Sequence, residues 1–207
     1  MSNLDSRTGF EQHYAGEAPW DTGRPQPAFV AAADVVRSPV LDAGCGTGEN
    51  ALFFAARGHR VMGIDFIAEA IRRASAKAAE RGLSAEFLVQ DALTLGDRGE
   101  RFATVIDCGL LHVFSDDDRR QYIRRLAQVV EPGGRLLLLC MSDEEPGTHG
   151  PRRVSRQELY DAFADGWEVE SIELIRGDLN PKVTEITFSE GGPKAWFAVL
   201  RRKEPER

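Results

Sequence analysis

Asp42 opens the run Asp42-Ala43-Gly44-Cys45-Gly46-Thr47-Gly48, in which glycine recurs at every second position just after the apolar pair Val40-Leu41. Such glycines let the backbone turn with positive φ and bring main-chain N–H groups against a ligand that a Cβ would hold off. A strand breaking into this turn and opening a helix makes a nucleotide site. Counted from Gly44, the dinucleotide pattern Gly-x-Gly-x-x-Gly meets Glu49 where its third glycine belongs. A carboxylate at a helix N-terminus disfavours a pyrophosphate there. No Gly-Lys-Ser/Thr follows, so the turn is not a triphosphate loop either. What remains is a nucleoside without phosphate, preferably one carrying positive charge. Asp65 closes the next apolar run, where a carboxylate suits ribose hydroxyls and can equally cap the following segment. Two histidines, His112 after Asp107 and His149 in Gly147-Thr148-His149-Gly150-Pro151, are candidate general bases, because imidazole titrates near neutral pH. Either is also compatible with an ordinary hydrogen-bonded loop histidine.

The elements that must position these residues follow from periodicity and punctuation. Phe29, Ala33 and Val36 recur at helical spacing ahead of the first strand, and a helix runs from Gly48 to near Gly58. Strand two spans Arg60 to Ile64, and the helix after it places Ile67, Ile71, Ala74 and Ala78 on one face and ends at Gly82. Ala85 to Val89 is strand three, closed by Gln90-Asp91-Ala92; Ala103 to Asp107 is strand four. The acids Asp116 to Asp118 favour a helix N-terminus, and Pro132-Gly133-Gly134 stops that helix before strand five, Arg135 to Met141. Ser155 and Glu158 form a capping box. Strand six, Trp167 to Ile175, alternates imperfectly at Val169 and Ile172; Ala195 to Arg201 is the last strand. Between them lies a long segment in which Val183 to Phe188 is a candidate extended stretch. Alternating strands and helices ending in two strands with no helix between them predict an α/β, doubly wound, seven-stranded sheet, mostly parallel with an antiparallel last strand. Ligands of such a sheet sit at the carboxyl ends of its parallel strands. The turns after strands one to three therefore face the nucleoside, and His112, His149 and residues 176–193 face a second ligand.

The Asp42–Gly48 motif, with Asp65 and Asp91 at their spacings, resembles that of the class I S-adenosylmethionine-dependent methyltransferases, whose fold is Rossmann-like. S-adenosylmethionine is a sulfonium nucleoside without phosphate, and S-adenosylhomocysteine is its product. The resemblance covers residues 37–203, with residues 1–36 as an N-terminal arm or lid and lead-in helix of the same single domain. It implies cofactor contacts from Asp42, Gly44, Gly46, Thr47, Asp65, Phe66 and Asp107, with Asp91 accepting the adenine amino hydrogens and Ala92 offering its N–H. The arm Pro19-Trp20-Asp21-Thr22-Gly23-Arg24-Pro25 is similar to that of small-molecule members, the thiopurine and thiol methyltransferases and bacterial hydroxyquinolone O-methyltransferases. Trp20 is a candidate cover for the sulfonium and Arg24 a candidate partner for the methionyl carboxylate; stapling of the arm and a solvated charge are the alternatives. The acceptor is then a small molecule with an O, S or N nucleophile, foremost an aromatic or heteroaromatic hydroxyl. A thiol S-methyltransferase, an aminopropyl transferase using Asp143, Glu144 and Glu145, and a non-catalytic S-adenosylmethionine-binding module are the rivals.

Composition sets the outer bounds. The chain has 207 residues, 42% of them hydrophobic, enough for one well-buried domain. A net charge of −7 disfavours a nucleic-acid surface, and Asp107-Cys108-Gly109-Leu110 stands where an amino-directed nucleic-acid methyltransferase carries Asn/Asp-Pro-Pro-Tyr/Phe. Cys45, Cys108 and Cys140 are far apart and odd in number, which argues against a disulfide framework and for a reducing cytoplasm; no ligand cluster suggests a metal. No run of about eighteen apolar residues suggests a membrane span. Arg152 and Arg153 are candidates for attracting an anionic acceptor. The oligomeric state leaves no trace in the sequence.

Overall fold

A computed structural model describes residues 7–16, 18–183 and 188–204. The strands are β1 (Val40–Ala43), β2 (Val61–Asp65), β3 (Glu86–Val89), β4 (Phe102–Cys108), β5 (Val130–Met141), β6 (Trp167–Arg176) and β7 (Lys194–Arg202). They form one sheet in the order β3-β2-β1-β4-β5-β7-β6. β1 to β5 are mutually parallel where they pair, and β7 runs antiparallel to both β5 and β6. The reversal in direction of sequence about β1, with β2 and β3 to one side and β4 and β5 to the other, leaves a crevice at the carboxyl end of β1.

Strand alternation distributes the core over both faces of the sheet. Leu41, Val105, Leu136 and Leu138 pack with Tyr122, Leu126 and Val129 of helix α5 (Asp116–Val129) and with Leu159 of α6 (Arg156–Ala162), in the numbering that makes α1 Arg7–Ala15, α2 Pro27–Ala31, α3 Glu49–Ala56 and α4 Ala68–Glu80. On the other face Val40, Ile106, Leu137 and Leu139 pack with Phe29 of α2 and with Ala51 and Phe54 of α3. Successive residues such as Leu136 and Leu137 thus belong to opposite cores, as a strand buried on both sides requires.

Three elements depart from the sequence expectations. Helix α1 lies in the N-terminal arm, where no helix is predicted from the sequence: its apolar residues are few, but Phe10 and Tyr14, one turn apart, pack with Ala18, Phe66, Ile67 and Ala70 as a small core of their own. Strand β5 begins at Val130, directly after α5, so Pro132-Gly133-Gly134 lies inside the strand; the register against β4 shifts between Phe102 and Thr104 to absorb it. A Cβ at Gly134 would stand 2.8 Å from the Glu131 carbonyl and 2.9 Å from that of Ala103, which explains a glycine there. In β6 the register against β7 shifts between Val169 and Ser171, the physical origin of its imperfect alternation. Of the candidate extended stretch Val183 to Phe188, the two end residues are in no strand and residues 184–187 lie outside the described ones.

Candidate active site

The turn after β1 is held by its own acids. Asp65 accepts from the Gly46 N–H at 3.0 Å through Oδ2 and from the Ile67 N–H at 2.9 Å through Oδ1, joining the turn after β1 to the end of β2 just ahead of α4. Burial pushes its pKa up, opposed by those N–H groups. Asp42 accepts from Ala51 N–H in α3 through Oδ2, while Oδ1 is buried without a partner. Burial drives Asp42 up to about 8, with neighbouring Asp107 and Asp65 adding to it. Asp107 accepts from Leu110 and Leu111 N–H and from the Tyr122 hydroxyl, and burial raises it to about 7. These contacts shape the loop that carries His112.

Two adjoining cavities open at this edge of the sheet, about 260 and about 490 Å³ in volume, of the size that small-molecule sites require. They share Phe10, Gly44, Asp65, Phe66, Leu110, His112 and Val113. The first extends under the arm, past Trp20, Arg24, Gly46 and Thr47, to Leu139, Met141, Leu179 and Phe188; the second reaches Asp91 and Ala92. The glycine turn is open only because it lacks side chains: with φ of +70° and +54°, a Cβ on Gly44 would meet Leu110 at 3.2 Å and one on Gly46 the Tyr14 hydroxyl at 2.8 Å. Eleven of the thirteen residues named as cofactor contacts or bases divide plainly: Trp20, Arg24, Gly44, Gly46, Thr47, Asp65, Phe66 and His112 line the first cavity, Asp91 and Ala92 the second, and exposed His149 neither. Asp42 and Asp107, fully buried, lie behind the cavity wall and line neither. They act on the site through the backbone they hold.

Several side chains are engaged differently from the expectation. The Glu49 carboxylate meets Lys77 at 2.7 Å and Arg81 at 2.9 Å. Burial works to raise its pKa, but the two cations outweigh it and hold the carboxylate below its usual value. Its charge is locally compensated, which weakens the sequence argument from Glu49 against a pyrophosphate. Arg24 pairs with Asp178 at 2.8 Å. Trp20 donates to the Tyr14 hydroxyl at 2.9 Å and packs against Phe10 and His13, so it staples the arm and lines the cavity at once. Asp91 accepts the Leu93 N–H with Oδ1 and lines the second cavity.

On the acceptor side, Arg152 is paired with Asp116 and Glu158, and Arg153 donates to the carbonyls of Glu145, Pro151 and His149. Neither arginine is a free anion trap. Glu145, buried, accepts from Ser189 and Lys194 N–H, and Asp143 accepts from the Trp196 ring N–H, so two of the three acids proposed for a polyamine bind the protein's own groups. His112 accepts the Met141 N–H at Nδ1, 2.9 Å away. Burial, with the Arg153 charge second, lowers its pKa to about 4. Tyr14 also lines the first cavity, and its only signal in the sequence is an aromatic spaced one turn from Phe10. Among the described residues no three or more His, Cys, Asp or Glu gather as a metal site, and no helix is long and apolar enough to cross a membrane.

Residues 40–134 match a family model described as a methyltransferase domain. The chain is 35% identical to a 2-heptyl-1-hydroxyquinolin-4(1H)-one methyltransferase of Mycobacteroides abscessus, over 94% of this chain and 89% of that protein. It is 27% identical to a probable thiol methyltransferase 2 of Arabidopsis thaliana, over 86% and 81%. A solved structure described under the conversion of a disulfide bond into a thioacetal group during echinomycin biosynthesis is similar at 39% identity and a TM-score of 0.82, over 97% of this chain and 94% of that one. With the strand order, the glycine turn and the paired cavities, these likenesses identify the chain as a member of the S-adenosylmethionine-dependent methyltransferases, an enzyme of small-molecule methylation.

Proposed function

We propose that the chain methylates the hydroxyl of an aromatic or heteroaromatic small molecule. The observation that carries this reading is the cavity wall of Leu139, Met141, Pro151, Leu179 and Phe188, apolar residues lining the same cavity as His112, whose Nε2 has no protein partner among the described residues. Such a wall favours a flat apolar acceptor with one polar handle. The hydroxyquinolone named for the M. abscessus relative has that character, and the thiol named for the A. thaliana relative supports a thiol as second reading.

S-adenosylmethionine supplies an electrophilic methyl group. The chain's residues hold and orient the reactants and keep water out. Gly44 and Gly46 would give the nucleoside close approach, Thr47 and Phe66 would line its site, and Asp65 would offer ribose hydroxyls the lone pairs beyond its two main-chain bonds. Asp91 and Ala92 are assigned to adenine, and Asp42 and Asp107 to holding the turn and loop in shape. Trp20 would close the methionyl end, and Arg24 would reach a carboxylate there only by leaving Asp178. His149, exposed beyond both cavities, has no assigned part in the chemistry.

The test is formation of S-adenosylhomocysteine across a panel of phenols, hydroxy-heterocycles, aryl thiols and amines, with calorimetry of S-adenosylhomocysteine and NAD alongside. Turnover on hydroxy-aromatics and no NAD binding are expected. Thiol turnover alone selects the second reading, and tight cofactor binding without any turnover selects a non-catalytic module.

A further inference from the structure

We propose that His112 serves this site as a hydrogen-bond donor and never as a base, so that the methyl acceptor is an acidic hydroxyl that ionises without the enzyme's help. The inference rests on the reading of the cavity as a hydroxyl methylation site and narrows it to a substrate class. The Met141 N–H, at the end of β5, occupies the Nδ1 lone pair of His112 at 2.9 Å. A neutral imidazole carries one proton, and with Nδ1 accepting, that proton is on Nε2. The Cε1–Nε2 edge passes over Gly109, 3.3 Å from where a Cβ would stand, and His112 lines both cavities. Among the described residues no protein group accepts from Nε2. The ring therefore presents an N–H to the cavity.

A base needs a bare nitrogen. Moving the proton to Nδ1 would aim it at the Met141 N–H and leave that buried donor unpaired, and a second proton on the ring meets the same obstacle. The low affinity of the ring for a proton agrees with this. Of the other titratable groups at the cavities, Asp65 is bonded to the Gly46 and Ile67 N–H, Asp91 to that of Leu93, and His13 lies under the arm against the Trp20 ring. Arg153 is held by loop carbonyls, Arg152 by Asp116 and Glu158, and Asp118 accepts from the Ser115 hydroxyl. Asp107 is turned to main-chain N–H groups and Tyr122, while burial pushes the Cys108 thiol up to about 12 and Cys140 up as well. Under the arm, Asp21 accepts from Thr47 and Asp178 pairs with Arg24.

The acceptor's proton consequently goes to solvent before transfer. The oxyanion's electron pair forms the new oxygen–carbon bond, the sulfur–carbon pair returns to sulfur as a neutral thioether, and His112 keeps its proton throughout while its Nε2–H steadies the anion.

Two measurements test this. In ¹⁵N-labelled protein saturated with S-adenosylhomocysteine, the His112 ring shifts should report the Nε2–H tautomer with no protonation down to about pH 5; an Nδ1–H tautomer or titration near 6.5 overturns the proposal. In a series of ring-substituted phenols of graded acidity, the inflection of kcat/KM against pH should move with each acceptor's own ionisation, and His112→Leu should lower kcat by about 10²-fold, the effect of removing one oxyanion donor, without moving it. An inflection fixed across the series and abolished in His112→Gln would make the histidine a base. If no acceptor of any class turns over, the hydroxyl methylation reading fails, while the ring shifts still decide the state of His112.

Discussion

At the scale of single residues, Asp65 accepts from the Gly46 and Ile67 N–H groups, and the ribose contact proposed for it would have only its remaining lone pairs. Asp65→Ala should weaken S-adenosylhomocysteine binding by about 1.5–3 kcal/mol, the range for hydrogen bonds to a charged group, and should also lower the melting temperature because two main-chain donors lose their acceptor. Calorimetry on the folded variant decides it: an unchanged Kd with a lowered Tm would reduce the carboxylate to a clamp. Gly46→Ala tests the opposite side of the same turn. Its φ of +54° and the Tyr14 hydroxyl 2.8 Å from the new Cβ predict at least a tenfold rise in the cofactor's Kd, read by the same titration. Both residues were legible in the sequence because backbone conformation dictates glycine and strand-end geometry favours an acid. The donor role of His112 was not, since it depends on an amide 29 positions away that only the pairing of β4 with β5 brings near. Compensation of Glu49 by Lys77 and Arg81 was hidden for the same reason.

At the scale of elements, the arm and the segment after β6 clasp each other over the first cavity. Gln26 donates to the Asp178 carbonyl and accepts its N–H, both at 2.9 Å, so one buried side chain imitates a strand pairing. Asn180 adds its N–H to the Pro19 carbonyl and its side-chain amide to that of Ala18. Cutting two neutral hydrogen bonds, Gln26→Ala should cost about 1–3 kcal/mol. Hydrogen exchange should quicken at 18–26 and 177–180 and stay unchanged in β1 and β4, with KM rising more than kcat falls. Uniform acceleration throughout the sheet would mean that the clasp is part of the global fold and not a separable lid. The sequence announced an irregular Pro-rich arm, because proline excludes regular helix there. It did not announce α1, whose stability comes from docking Phe10 and Tyr14 on α4 and Phe66 more than from its own composition. It also mistook Pro132-Gly133-Gly134 for a simple helix stop, since a bulge is a property of two strands and not of one.

At the scale of the whole molecule, the order of elements was the most legible feature, because period-two and period-3.6 patterns separated by glycine admit few right-handed α/β topologies. What pattern alone could not supply is the cost of placing two carboxyls behind the crevice. Asp42 and Asp107 have folded pKa values of about 8 and about 7, far above an unfolded carboxyl near 3.9. Between those limits the folded chain holds protons that the unfolded chain has released. Their contribution to stability is therefore complete below about pH 4 and is lost as pH rises through 7 and 8. His112 runs the other way: with a folded value of about 4 against about 6.5 unfolded, its contribution is present above 6.5 and lost as pH falls toward 4. Between pH 4 and 6.5 the two carboxyls outweigh the one imidazole, so these three groups together favour the folded chain most near pH 4, and their loss is complete a little above pH 8. Asp42→Asn isolates the first term, since the amide oxygen can still accept the Ala51 N–H but the group cannot ionise. In urea unfolding at pH 6 and pH 9, the wild-type chain should lose distinctly more stability between the two than the variant does. Equal losses would show that Asp42 is already ionised in the folded protein at pH 6 and that its unpartnered oxygen is reached by water.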